Sequence, residues 1–128
     1  MNSMNHSNFQ HLEDLYPILN GLKDKANLDG VILAYRDGRI ITDIIGTEFD
    51  WTNFVSMCAS VLESAMGIGE TIGNLKINKI IAELEEKTIL IFECDTKKFL
   101  TLIINRKSDI SYCMEKLEEI IPKIKKLN

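Results

Sequence analysis

Two segments of the chain, Ile89-Leu90-Ile91-Phe92 and Leu100-Thr101-Leu102-Ile103-Ile104, are apolar at nearly every consecutive position. Successive strand side chains point to opposite faces, so strands of this kind fit the centre of a sheet covered above and below. The charged links Glu85-Glu86-Lys87 and Asp95-Thr96-Lys97-Lys98 are too short for crossovers and force antiparallel neighbours. The preceding run, Ile77 to Leu84, alternates instead. It sets Ile80, Ala82 and Leu84 against Lys79, Ile81 and Glu83, as a peripheral strand would.

Three helices frame these strands. Phe9, Leu12, Leu15, Leu19, Leu22 and Ala26 recur at helical spacing, and Pro17 within them removes a backbone donor, so this helix starts near Asp14 or kinks there. Asn27-Leu28-Asp29-Gly30 ends it, and Val31 to Tyr35 and Ile40 to Ile45 follow as strands around Asp37-Gly38, a hairpin dipeptide. Asp50 or Thr52 caps a second helix from Trp51 to Ile72; Ser108 or Asp109 caps a third, striped by Ile110, Cys113, Met114, Leu117, Ile120, Ile121, Ile124 and Leu127 and bent by Pro122. The expected fold is α/β, in the order α-β-β-α-β-β-β-α, a five-stranded mostly antiparallel sheet with helices on both faces. The expected organisation is a polar tail over residues 1–11 and one domain over 12–128.

The second helix carries more apolar surface than one sheet can cover. At about 100° per residue, its apolar positions fill an arc of about 200°, roughly twice what one packed face needs. The excess must be buried by other elements of this chain or by another molecule, and a second copy of the same helix is the economical answer. The residues expected at such an interface are Phe54, Met57, Val61, Ile68 and Ile72 of the helix, and Ile77, Lys79 and Ile81 of the strand after it. The remaining arc carries Ser56, Ser60, Glu63, Ser64, Gly67 and Glu70, mostly small side chains that would let a partner backbone approach.

Several function classes find no support. A net charge of −4 provides no basic field for nucleic acid or anionic lipid. No run approaches the roughly 18 apolar residues of a membrane span, and residues 1–10 have no leader pattern, so a cytoplasmic location is expected. Cys58, Cys94 and Cys113 lie in separate apolar stretches and read as core filler, while His6 and His11 have no ligand company; no metal or cofactor is expected. Gly67-Ile68-Gly69-Glu70-Thr71-Ile72-Gly73 closes a helix rather than following a strand, which argues against a phosphate loop. Glu83, Glu85, Glu86 and Glu93 lie on or beside strand edges with no partnered His or Cys that would suggest acid–base or nucleophilic work, and read as a solvated face. No catalytic residues are expected.

The segment Asp29-Gly30-Val31-Ile32-Leu33-Ala34-Tyr35-Arg36-Asp37-Gly38-Arg39-Ile40-Ile41, the helix end Met66-Gly67-Ile68-Gly69-Glu70 and the order of elements resemble the Roadblock/dynein light chain (Roadblock/LC7) family over residues 12 to 127. The resemblance implies a Roadblock/profilin-like sandwich that dimerises, with itself or with a paralogous subunit, by pairing the strand after the second helix and setting the two second helices side by side. It also implies a non-catalytic scaffold or regulator of a small Ras-like GTPase, as for bacterial members that act on a motility GTPase and eukaryotic ones in dynein and with Rag GTPases. On that reading Ser56, Ser60, Glu63, Ser64, Gly67 and Glu70 form the GTPase-binding strip, and Arg36 and Arg39 are turn residues rather than arginine fingers. A longin-type trafficking domain is an alternative, but it usually begins with the hairpin. A GAF- or PAS-like small-ligand sensor is another, and it needs an internal polar-lined cavity.

Overall fold

The computed structural model describes residues 11–45 and 50–127. The expected tail therefore lies, apart from His11, outside the described residues, as does Phe9. The elements are α1 (Leu12–Ala26), β1 (Gly30–Tyr35), β2 (Ile40–Ile45), α2 (Trp51–Thr71), β3 (Ile80–Glu83), β4 (Lys87–Glu93), β5 (Lys98–Asn105) and α3 (Ile110–Lys125). The strands form one sheet in the order β2-β1-β5-β4-β3, and every neighbouring pair is antiparallel.

The strands apolar at consecutive positions lie inside the sheet. Their alternate side chains feed two separate cores. On one face, Leu90, Phe92, Leu100, Leu102 and Ile104 pack with Leu15, Leu19 and Leu22 of α1 and Cys113, Leu117, Ile120 and Ile124 of α3. On the other, Ile32, Ala34, Ile89, Ile91, Phe99 and Ile103 pack with Val55, Cys58, Ala59 and Leu62 of α2. Two helices thus cover one face of the sheet and a single helix the other. All three cysteines are buried and free, as core residues.

Local chemistry sets the boundaries. The Asp50 carboxylate accepts from the Thr52 backbone N–H at 3.1 Å, and that of Asp109 from the Tyr112 N–H at 3.0 Å, so of the candidate caps it is Asp50 and Asp109 that start α2 and α3. Helix α1 begins at Leu12 with His11 as its cap residue, two positions before Asp14, and takes Pro17 into its interior. Gly38, at φ +97°, supplies the left-handed residue of the β1–β2 turn, where the Gly38 N–H donates to the Tyr35 carbonyl. The run read as one strand from Ile77 to Leu84 is shorter: β3 holds only Ile80–Glu83, and Ile77 and Lys79 lie in the link that leads into it. Polar Asn74, Lys76 and Asn78 alternate with Leu75 and Ile77 in that link, a strand-like pattern with no neighbouring strand to pair among the described residues.

Candidate functional site

Helix α2 presents three sides. Its buried side meets the sheet through Val55, Cys58, Ala59 and Leu62. Beside that lies a flank of Met57, Val61, Ile68 and Ile72, exposed to 61%, 46%, 63% and 69%. Helices α1 and α3 could have covered the excess apolar arc, but they pack on the opposite face of the sheet and leave it open. Phe54 differs from the other candidate interface residues of α2. It is half-buried, packs with the α2-side core, and meets Trp51 edge-on at 5.3 Å between ring centroids.

After α2 the chain reverses. Gly73 and Asn74 both have positive φ, and the Leu75 N–H donates to the Gly69 carbonyl at 3.0 Å. A side chain at buried Gly69 would place its Cβ 2.3 Å from the Leu75 carbonyl oxygen, so the glycine permits this close return. The link then delivers β3 to the edge of the sheet, where Ile80 and Ala82 pack toward α2 and Ile81 remains exposed. Three exposed apolar side chains of α2, the C-cap residue Ile72 and an open strand edge are thus presented by the same chain, with Leu75 and Leu84 also exposed. Ile77 is half-buried and Lys79 exposed.

The third side of α2 carries the strip of small residues. Ser56, Ser60, Glu63, Ser64 and Glu70 are exposed and Gly67 is half-buried, with nothing within 4 Å of where its Cβ would stand. The strip is not flat: Arg36 and Asp37 of the β1–β2 turn rise beside it and make a shallow groove with Ser56, Ala59, Ser60, Glu63 and Ser64. The Ser60 hydroxyl donates to the Ser56 carbonyl at 3.2 Å.

Arg36 holds that groove together, a role its sequence context does not reveal. Its guanidinium donates to Glu93 of β4 at 2.7 Å and to Glu63 of α2 at 3.2 Å, and lies 2.7 Å from the Met66 sulfur. It is therefore more than a turn residue, and Glu93 is a half-buried ion-pair partner rather than part of a solvated face. Arg39 does stay in the turn, paired with Asp37 at 2.8 Å and stacked 4.5 Å over the Tyr35 ring. The Asp37 carboxyl is held below its usual range by the Arg39 backbone N–H and side chain.

No helix among the described residues is long and apolar enough to cross a membrane. Among them, too, no three His, Cys, Asp or Glu side chains gather as a metal site requires.

No family model matches the chain, and no curated protein matches it in sequence. Solved structures do. MglB of Myxococcus xanthus superimposes with a TM-score of 0.80 at 16% identity, over 88% of this chain and 93% of that one. A Roadblock/LC7 domain from Streptomyces avermitilis gives 0.77 at 11% identity, covering 84% and 92%. The gliding protein MglB from Thermus thermophilus gives 0.76 at 9%, covering 88% and 86%. At these identities the likeness is one of fold, and the fold is Roadblock/LC7-like.

Proposed function

Taking the Roadblock/LC7-like fold as premise, we propose that this chain is a non-catalytic platform that pairs with a second copy of itself and docks a small Ras-like GTPase on the outer face of α2. The observation that carries the reading is the exposed flank Met57, Val61, Ile68 and Ile72 beside the open edge of β3. Apolar side chains in a continuous stripe are costly to leave in water, at about 25 cal/mol for each Å². A two-fold partner presents the same stripe and the same strand edge, so one contact satisfies both. Phe54, Met57, Val61, Ile68, Ile72, Ile77, Lys79 and Ile81 are the residues assigned to it.

Pairing along that flank leaves the strip Ser56, Ser60, Glu63, Ser64, Gly67 and Glu70 facing outward, bounded by the Arg36-Asp37 turn. Small side chains over a firmly held backbone suit the close approach of another protein, and the implied partner is a Ras-like GTPase. This face holds no pair of nucleophile and base, so any effect on hydrolysis would come from placing the GTPase's own groups.

Gly67→Arg tests the docking face, because the substituted side chain enters open space and leaves the fold intact. A Ras-like GTPase captured from the source cells should bind the parent protein in calorimetry, and Gly67→Arg and Ser60→Arg should each weaken binding on the order of tenfold or more with the dimer preserved. If both bind like the parent while changes on α1 or α3 abolish binding, the docking face is on the other side of the sheet.

A further inference from the structure

The outer edge of β3 can be read residue by residue. The Leu84 N–H donates to the Lys87 carbonyl at 2.8 Å, so Leu84 turns its backbone groups toward β4. Direction alternates along an antiparallel strand, so Ala82 and Ile80 do the same, while Ile81 and Glu83 turn their N–H and C=O groups to the open edge. Side chains alternate as well: Ile80 and Ala82 pack on the α2 side, which puts Ile81 and Glu83 on the α1/α3 side.

These two alternations limit how a second copy can add its own β3. A two-fold axis normal to the sheet runs the two strands antiparallel, and residues directly opposite one another share a face. Face alternates with residue number, so the two numbers of any opposing pair must sum to an even value. The axis therefore runs midway between one residue and its own copy, and for a strand this short the choices are Ile80, Ile81 and Ala82. An axis at Ile80 sets Lys79 against the isoleucine side chain at position 81. An axis at Ala82 sets Ile81 against the carboxylate at position 83. An axis at Ile81 sets isoleucine on isoleucine, Ile80 on Ala82, and Lys79 on Glu83 twice over. Neither Lys79 nor Glu83 has an ion-pair partner among the described residues, and both are exposed.

We propose that two copies of this chain join through β3 with the two-fold axis at Ile81, each Lys79 pairing with the partner's Glu83 on the α1/α3 face. The pairing lengthens β3 by one residue, drawing Lys79 of the link into the ladder, and makes one sheet of ten strands. Opposite charges directly across strands favour this register and like charges disfavour it, so the pair works as a key that selects the alignment. The inference rests on the self-pairing proposed above.

Charge exchange tests it on the full chain, by sedimentation and by native mass spectrometry with one variant labelled with ¹⁵N. Lys79→Glu and Glu83→Lys alone should each weaken self-association on the order of tenfold or more, since each replaces two attractive pairs by two repulsive ones. Mixed in equal amounts, the two variants should form the heterodimer, in which every opposing pair is again Lys with Glu. The double exchange should restore the parent affinity. Ile81→Cys should cross-link to itself on mild oxidation, because on-axis Cα atoms about 5.5 Å apart lie within disulfide reach, whereas Glu83→Cys should not. A parent that is monomeric overturns the pairing itself. A dimeric parent that is indifferent to the single exchanges, or that cross-links through position 83 and not 81, overturns the register alone.

Discussion

Gly67 and Gly69 lie within one turn of α2, and replacing each by alanine should move stability in opposite directions. At Gly67 the new methyl group meets nothing within 4 Å, so the change reads out helix propensity and lost unfolded-state entropy, about 0.5–1 kcal/mol of stabilisation. The same gain is available at Gly69, but there the methyl carbon would stand 2.3 Å from the Leu75 carbonyl oxygen, which belongs to backbone and cannot swing aside. The link must move away, straining the hydrogen bond from the Leu75 N–H to the Gly69 carbonyl. Overpacking of this kind costs about 1–3 kcal/mol and a lost hydrogen bond about 1 more, so Gly69→Ala should be destabilised by about 1–3 kcal/mol net. Urea unfolding followed by circular dichroism measures both. Gly69→Ala matching Gly67→Ala in midpoint and slope would refute the argument that this glycine permits the return of the chain from α2 toward β3.

Three further outcomes follow from side chains described above. Burial pushes the thiols of Cys94 and Cys113 up to about 12 and 11 and raises that of Cys58, so none should react with iodoacetamide at pH 8 until the chain unfolds; rapid labelling of the native protein would contradict their burial. Arg36→Met should cost about 1–2 kcal/mol and speed amide exchange in the β1–β2 turn, whereas Glu63→Gln, whose carboxylate is largely exposed, should be nearly neutral; equal effects would misassign the ion pair that matters. The Asp29 carboxyl is lowered, chiefly by the hydrogen bond it accepts from Lys87, so its contribution is complete above its unfolded value near 3.8 and is lost as pH falls through the lower folded value. Asp29→Asn should therefore flatten the acid limb of the stability curve below about pH 4 and leave its alkaline limb alone, and an unchanged acid limb would remove Asp29 from the account.

Much of the fold follows from short-range pattern. β4 and β5 are apolar at consecutive positions because helices cover both faces, and the Asp-Gly turn, Asp50 and Asp109 act within three residues of themselves. The excess apolar arc of α2 was legible for the same reason, since a period of 3.6 residues fixes which side chains share a side. Other features depend on tertiary partners. Alternation over Ile77 to Leu84 predicts a longer strand than β3, because hydrogen bonding requires a neighbour that periodicity does not report. Pro17 sits inside α1 even though proline disfavours helix interiors, because packing of Leu15, Leu19 and Leu22 on the sheet outweighs one missing backbone donor. The Arg36 cluster joins residues 27 and 57 positions apart, and no local rule connects them.

The central claim is that the exposed flank of α2 is an interface with a second copy. Light scattering on the full chain at micromolar concentration addresses it most directly, comparing the parent with Val61→Glu, a change on a side chain already 46% exposed and so tolerable to the isolated fold. The account predicts about twice the 14.6 kDa chain mass for the parent and the single-chain mass for Val61→Glu, with the same circular dichroism spectrum. A parent that scatters as a single chain, or a Val61→Glu variant that stays dimeric, would contradict it.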